Sequence, residues 1–142
     1  MKINIDTITR ASKELIGNII RTPTIRSQHL SSEINGEVFL KLENLQYTSS
    51  FKVRGAYTSI TRLKEDQKKV GVIAMSAGNH AQGIALGCQK LGIKSTIVMP
   101  NNTPFEKIRK NIDLGANVII FGNNVLESEE YVNQLVLKYG YI

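Results

Sequence analysis

The sequence has almost none of the features that secreted, metal-binding or membrane-spanning proteins need. Its single cysteine, Cys88, excludes an internal disulfide and fits a reducing compartment. The two histidines, His29 and His80, have no cysteine beside them and do not cluster, so no metal site is predicted. There is no apolar run long enough to cross a bilayer and no N-terminal signal peptide. We therefore expect a soluble, cytoplasmic protein without a membrane partner.

Aromatic residues are also scarce, at 6% of the chain, and tryptophan is absent. The 18 basic residues outnumber the 12 acidic ones and give a net charge of +6. Such a surplus suits anionic ligands or nucleic acid. The basic residues are scattered, however, and the one tight group, Lys64 with Lys68 and Lys69, is typical of a solvated helix end or loop. We therefore expect no nucleic-acid partner.

Glycine-rich phosphate-binding motifs are missing as well. Neither a P-loop nor a Gly-x-Gly-x-x-Gly fingerprint occurs, which leaves a small nucleotide-binding domain without support. With 142 residues and 42% apolar content, the chain is long enough for one domain with its own core and too short for two ordinary ones.

The first 48 residues predict one helix and one strand. Asp6 can cap a helix whose apolar stripe continues to Ile20 and which Pro23 ends. Residues 22–36 are polar and rich in turn signals. Residues 37–43 then alternate between apolar and polar side chains, as a half-buried strand does.

Residues 49–142 predict a helix followed by three units of strand and helix. The apolar runs at 70–75, 96–99 and 117–121 are typical of strands buried on both faces of a parallel sheet. Helices are predicted after each of them, at 79–91, from the capping-box motif at 103–106 to Gly115, and around 125–139. This succession predicts an α/β fold, an open parallel sheet with helices on both faces. Tyr141 and Ile142 resemble the start of a further strand, so we expect the chain to be the front part of something longer.

Lys52 is a candidate nucleophile because of its position in a predicted helix. Ser49 or Ser50 can cap a helix in which Lys52 lies in the first turn. The partial positive charge of a helix N-terminus disfavours the ammonium form, and a neutral amine can attack a carbonyl to form a Schiff base. The alternative is an ordinary solvated lysine.

The loop after the first buried strand is a candidate anion site. Its small and polar residues 76–80 lead directly into a helix, so backbone N–H groups can gather around a carboxylate or phosphate. Gly78 lets a ligand approach the backbone, and Asn79 offers both a donor and an acceptor. An ordinary strand-to-helix turn explains the same residues equally well. Gly83 and Gly87 predict close packing of the following helix against the sheet.

Together, the motif Ser-Phe-Lys-Val-Arg-Gly-Ala at 50–56 and the motif Ser-Ala-Gly-Asn-His-Ala-Gln-Gly at 76–83 are far more specific than either alone. They resemble the pyridoxal-phosphate enzymes of the tryptophan-synthase-β fold type, and within these the threonine dehydratases (threonine ammonia-lyases). Met99-Pro100, Thr103-Pro104, Lys107 and Gly115-Ala116 extend the resemblance through essentially the whole chain.

The resemblance implies a pyridoxal 5'-phosphate cofactor and a small amino-acid substrate. It implies that Lys52 holds the cofactor as a Schiff base and removes the substrate α-proton, that Phe51 lies beside the cofactor ring, and that Asn79 hydrogen-bonds its phenolic oxygen. The implied reaction converts L-threonine, and also L-serine, to a 2-oxo acid and ammonia, with isoleucine biosynthesis as one setting. The residues implied to hold the substrate carboxylate are Ser76, Ala77, Gly78, Asn79 and His80.

The resemblance also implies a division of the chain. Residues 1–48 would belong to the family's large domain, which is otherwise mostly absent, and residues 49–142 would be the small α/β domain. The family's phosphate-cradling loop and the residue that meets the pyridine nitrogen lie downstream of this region. Apolar faces within residues 1–48 are then expected to be uncovered, and homo-oligomers are expected for the full-length family.

Two alternatives stay open at this point. One is a non-catalytic remnant or interaction module that keeps the α/β domain. The other is a serine racemase-like enzyme. The resemblance disfavours the racemase because that branch has a proton-donating serine where Ala77 stands, and alanine cannot donate a proton.

Overall fold

The computed structural model describes residues 3–142. The first helix, α1 (Ile5–Leu15), begins after Asn4, whose side chain accepts a hydrogen bond from the Thr7 N–H. The prediction that Asp6 caps this helix and that it continues to Ile20 was wrong at both ends. The chain leaves the helix before Gly17, which adopts a φ of 77° in the left-handed region that glycine tolerates best.

The rest of the front region forms a small antiparallel ribbon. Strand β1 (Thr24–Arg26) pairs with β2 (Phe39–Lys41), and helix α2 (Gln28–Glu33) connects them. The predicted turn region therefore contains a strand and a helix that composition did not reveal. The strand predicted at 37–43 is only three residues long and is exposed on both faces, since a two-stranded ribbon has no second layer to bury it.

The region 49–142 has the predicted alternation of elements. Helix α3 (Lys52–Thr61) is followed by α4 (Glu65–Val70), a short helix that carries Lys68 and Lys69 of the basic group predicted to be a solvated helix end or loop. The remaining elements are β3 (Val72–Met75), α5 (Asn79–Leu91), β4 (Ser95–Met99), α6 (Phe105–Asp113), β5 (Asn117–Ile120) and α7 (Val125–Tyr139).

Strands β3, β4 and β5 form the predicted parallel sheet and lie in that order. The outer edge of β3 also pairs with the last residue. Ile142 donates its N–H to the Gly71 carbonyl at 3.1 Å, and Ile73 donates to the Ile142 carbonyl at 2.8 Å. These two bonds place the backbone of Ile142 along the outer edge of β3.

Helices cover both faces of this sheet, which confirms the predicted architecture. On one face, Ile97 and Met99 of β4 pack with apolar residues of α3 and α5. On the other, Ile73 and Val98 pack with Leu135 of α7. Cys88 is fully buried in the first core, and burial raises the pKa of its thiol to about 11, so it is a packing residue as predicted.

The capping box predicted at the start of α6 was wrong. Pro104 occupies the cap position, and no side-chain hydrogen bond caps the helix within the described residues. Thr103, the expected cap, is buried instead, and its hydroxyl has no hydrogen-bond partner among residues 3–142. The helix therefore begins one residue later than the motif predicts, with Pro104 and not Thr103 at the cap position.

A search of residues 3–142 found no helix with the length and hydropathy of a membrane span. The same residues contain no group of three or more histidine, cysteine, aspartate or glutamate side chains that could hold a metal ion.

Candidate active site

Lys52 is the first residue of α3, as predicted, but the helix starts differently. The cap position belongs to Phe51, which already has helical dihedral angles, and neither serine caps the helix. Ser50 is buried, and its hydroxyl accepts a long hydrogen bond of 3.4 Å from the Lys52 N–H. Ser49 has a φ of 53°, so the chain makes a tight turn just before the helix.

The backbone of Lys52 is packed directly on α5. A Cβ atom at Gly83 would lie 3.1 Å from the Lys52 carbonyl carbon and 3.2 Å from its oxygen. A Cβ atom at Gly87 would lie 2.9 Å from the side chain of Ile60, also in α3. The two glycines therefore allow close packing, as predicted, but against α3 and not against the sheet.

This contact places Lys52 near the beginning of α5. Asn79 precedes Gly83 by one helical turn, which corresponds to about 6 Å along the helix axis. The lysine backbone therefore lies about one turn from the residues that open α5, and Lys52 and Asn79 are neighbours in space although 27 positions separate them in the sequence.

The first turn of α5 has no side-chain partner for its backbone N–H groups among residues 3–142. Gly78 is the cap residue, and no side chain in the described part of the chain caps the helix. The Gly78 N–H itself donates to the Ser76 hydroxyl at 3.1 Å, which folds the loop back on itself. A Cβ at Gly78 would meet only that hydroxyl, at 3.9 Å, so the space beside the first turn is open to a ligand.

The charge of Lys52, in the motif at 50–56, acts on His80, in the motif at 76–83. Partial desolvation of the ring lowers the pKa of His80, and the positive charge of Lys52 lowers it further. His80 is therefore neutral near pH 7, and Lys52 is close enough to influence it. The Lys52 amine lies 5.3 Å from the centroid of the Phe51 ring, and Phe51 is 60% exposed.

An ion pair that was not predicted from the sequence holds the first turn of α3, which carries Lys52. Arg54 donates two hydrogen bonds to the carboxylate of Glu43, at 2.8 and 2.7 Å. These bonds hold the pKa of Glu43 at about 2, against an ordinary value of 4.5. No periodicity indicates this pair, because Glu43 lies in a single 3₁₀ turn (Glu43–Leu45) before the helix.

Comparison with known proteins gives the class of the molecule. Residues 15–142 match the family PALP, described as pyridoxal-phosphate dependent enzyme. The chain belongs to this family.

Within this family, the chain is similar in sequence to threonine dehydratases and ammonia-lyases. The chain is 47% identical over 138 residues to an L-threonine ammonia-lyase of Thermotoga maritima, which covers 97% of this chain and 34% of that protein. It is 41% identical over all 142 residues to the Escherichia coli L-threonine dehydratase catabolic TdcB, covering 43% of that protein. The chain thus spans less than half the length of these relatives.

A solved structure with the same fold is that of a protein with a different activity. Maize serine racemase superposes on this chain with a TM-score of 0.92 at 30% identity, over 100% of this chain and 43% of the racemase chain. The fold is therefore shared across both dehydratases and racemases.

The residues of the candidate site fit a pyridoxal-phosphate cofactor in part. Lys52 offers an exposed amine to an aldehyde, and the exposed ring of Phe51 offers a flat apolar surface to an aromatic ring. The open first turn of α5 offers N–H groups to an anion. The eleven glycines, in contrast, are all isolated from one another, so residues 3–142 supply no glycine-rich cradle for the cofactor phosphate.

Proposed function

We propose that this chain is the lysine-bearing part of a pyridoxal-phosphate dependent threonine dehydratase, which converts L-threonine, and with it L-serine, to a 2-oxo acid and ammonia. The identities of 41% and 47% to a threonine dehydratase and a threonine ammonia-lyase support the proposal. The small amino-acid substrate follows from the same relatives, and the cofactor follows from the family match. A homo-oligomer is proposed only for full-length members of the family, and no oligomeric state is proposed for this chain.

The observation that carries the proposal is the packing of Lys52 on Gly83. It sets the backbone of Lys52 about one turn from the N-terminus of α5, so a group bound by one motif is within reach of the other. An ordinary solvated lysine needs no such contact, and an ordinary strand-to-helix turn gains nothing from a neighbouring amine.

Each residue then has a definite task. Lys52 would hold the cofactor through its amine and, once the substrate has displaced it, would take the proton from the substrate Cα. The ring of Phe51 would pack against the cofactor ring, and the Asn79 amide would donate to its phenolic oxygen. When bound, the cofactor acts as the electron sink for the Cα–H bond that breaks.

The substrate carboxylate is assigned to the loop that opens α5. Ser76 to Gly78 are partly buried and Asn79 and His80 are exposed, so the loop forms a partly exposed rim at the start of α5, where the N–H groups of a first helical turn suit an anion. A neutral His80 can donate or accept a hydrogen bond there without adding charge. This rim fixes the Cα–H bond relative to Lys52.

Elimination is favoured over racemisation at this site. A racemase needs a proton donor on the face of the substrate opposite Lys52, and the methyl group of Ala77 cannot provide one. The superposition with maize serine racemase keeps racemisation as the second candidate. The E. coli relative is described as catabolic, which favours a degradative role over isoleucine biosynthesis.

The experiment is reductive fixation of the cofactor on the purified chain. Pyridoxal phosphate is added, borohydride reduces the product, and peptide mapping locates the label. We expect Lys52 to carry it, K52R to lose it, and the matched variant K110R, an exposed lysine of α6, to retain it. Label spread evenly over the surface lysines would overturn the proposed role of Lys52.

Product analysis separates the candidate activities. Threonine and serine are supplied to the cofactor-loaded chain, with formation of 2-oxo acid and of D-serine followed in parallel. Formation of 2-oxo acid supports the dehydratase, and D-serine alone supports the racemase. A chain that folds by circular dichroism but takes up no cofactor and gives neither product is the interaction module.

A further inference from the structure

The first turn of α3, residues 52–54, is held from two sides and not by a helix cap. Within the described residues, no side chain caps the helix at Phe51. On one side Gly83 of α5 leaves no space beside the Lys52 backbone. On the other side Arg54 reaches from the same turn to Glu43.

The contact between Arg54 and Glu43 fixes an orientation as well as a distance. Nε donates to one carboxylate oxygen at 2.8 Å and Nη2 donates to the other at 2.7 Å. Two parallel bonds between planar groups restrain rotation, which a single lysine contact does not do. The pair is largely shielded, with 31% of the Arg54 side chain and 16% of the Glu43 side chain exposed.

Glu43 is itself held by the front region. The Thr22 hydroxyl donates to the same carboxylate. Three residues further on, the Gln46 side chain exchanges two hydrogen bonds of 2.9 Å with the backbone of Ile20. The carboxylate is therefore attached to a fixed frame.

The two restraints act at different angles around the helix. Arg54 follows Lys52 by two residues, which is about 200° of helical rotation. A bond to Arg54 and a contact at the Lys52 backbone together prevent the turn from rolling about its axis. The direction in which the Lys52 side chain leaves the helix depends on that roll.

We propose that Glu43 and Arg54 are positioning residues that aim Lys52 at the opening of α5. This inference rests on the proposed function only for the role of the Lys52 amine in binding the cofactor; the positioning of the amine is a separate, structural claim. The pair crosses position 49, where the sequence predicts a domain boundary, so the front region contributes to the site without touching the reacting atoms.

The chain contains a matched control at the other end of the same helix. Arg62, the residue after α3, donates to Glu14 of α1 at 3.0 Å. Its two bonds go to one carboxylate oxygen, and it lies ten residues from Lys52. E43Q and E14Q each disturb one ion pair of α3 and leave the sequence of the helix unchanged.

Two readouts test the proposal on the full chain. Amide hydrogen exchange measures protection of the Arg54 N–H, which donates to the Phe51 carbonyl at 3.1 Å. Fixation of pyridoxal phosphate by borohydride measures the label on Lys52 relative to the other lysines. We expect E43Q to lower the protection about tenfold and the relative label on Lys52 about 10- to 100-fold. E14Q should leave both unchanged.

Equal effects of E43Q and E14Q on both readouts would overturn the proposal, because a general loss of stability does not single out the first turn. E43A, with E14A as its control, repeats the comparison if the glutamine retains one bond. If the unaltered chain does not label at Lys52, the proposed function fails, while hydrogen exchange still decides the positioning role.

Discussion

The front region, residues 3–48, and the region 49–142 are stabilised in different ways. Strand β4 is buried at all five positions, whereas all residues of β1 and β2 are exposed. In α1, Ile5 and Ile8 are 72% and 55% exposed, and Ile8 lines an open groove of about 730 Å³. The region 49–142 has its own two-sided core, and the front region is attached to it through hydrogen bonds and ion pairs.

The elements of the candidate site are therefore held in place by different interactions. Apolar burial fixes the sheet and α5, because each residue there contacts many others. The turn that carries Lys52 lies where the two regions meet, so it depends on Gly83 from one and Glu43 from the other. The exposed apolar face of α1 agrees with the expectation of uncovered surfaces in this region.

The largest expected effect separates the two regions directly. I97A removes a fully buried side chain of β4 and should lower the free energy of unfolding by about 2–5 kcal/mol. L40A, in the exposed ribbon, should lower it by about 1 kcal/mol or less. Urea unfolding followed by circular dichroism measures both. Similar losses would mean that the front region shares the core.

A smaller effect is expected at the contact between α3 and α5. G83A adds a methyl group 3.1–3.2 Å from the backbone of Lys52 and Val53, which cannot rotate away. We expect a loss of about 1–3 kcal/mol and a weaker pyridoxal-phosphate label on Lys52. Thermal unfolding and peptide mapping measure these two quantities. An unchanged label would show that the packing does not set the position of the amine.

The link between the regions should depend on pH. Hydrogen bonds from Arg54 lower the folded-state pKa of Glu43 to about 2 from 4.5, so its stabilisation is present above about pH 4.5 and is lost as the pH falls toward 2. E43Q should be about 1–2 kcal/mol less stable at pH 7 and should lose less stability across that window. Unfolding at several pH values is the measurement. Parallel curves for E43Q and the unaltered chain would contradict this assignment.

The smallest expected effect is a gain. Gly55 lies in α3, and a Cβ added there would meet nothing within 4 Å. G55A should therefore stabilise the chain by about 0.5–1 kcal/mol, since alanine favours the helix and restricts the unfolded chain. It is the matched control for G83A, with the same chemical change in a neighbouring helix. A loss of stability in G55A would mean that space is not what distinguishes the two glycines.

Sequence patterns predicted the region 49–142 better than the front region, and the reason is physical. The predicted limits of α5 were correct, because its apolar face, its glycine cap and its left-handed end at Gly92 are all local features. Strand β1 and helix α2 were missed, because short exposed elements lack a clear hydrophobic periodicity, and β2 is shorter than the strand predicted at 37–43. The box at Thr103 was misplaced because the same residues permit a helix start one position later.

The candidate site divides in the same way. Lys52 in the first turn of a helix and the open loop at 76–80 could be recognised from residue type and spacing. The pairing of Glu43 with Arg54 could not, because an acid and a base eleven positions apart have no preferred geometry until a 3₁₀ turn folds between them. The predicted roles of the site residues, and the domain boundary at 49, remain predictions.

The sequence by itself determined an α/β fold with a buried parallel sheet, and it marked the two motifs that resemble a pyridoxal-phosphate enzyme. Local preferences and hydrophobic periodicity carry that information along the chain. Only the tertiary structure decided that Gly83 packs against Lys52 and that Glu43 secures the turn. Such contacts join residues that are far apart in the sequence and form only when the helices pack, so local sequence patterns do not predict them.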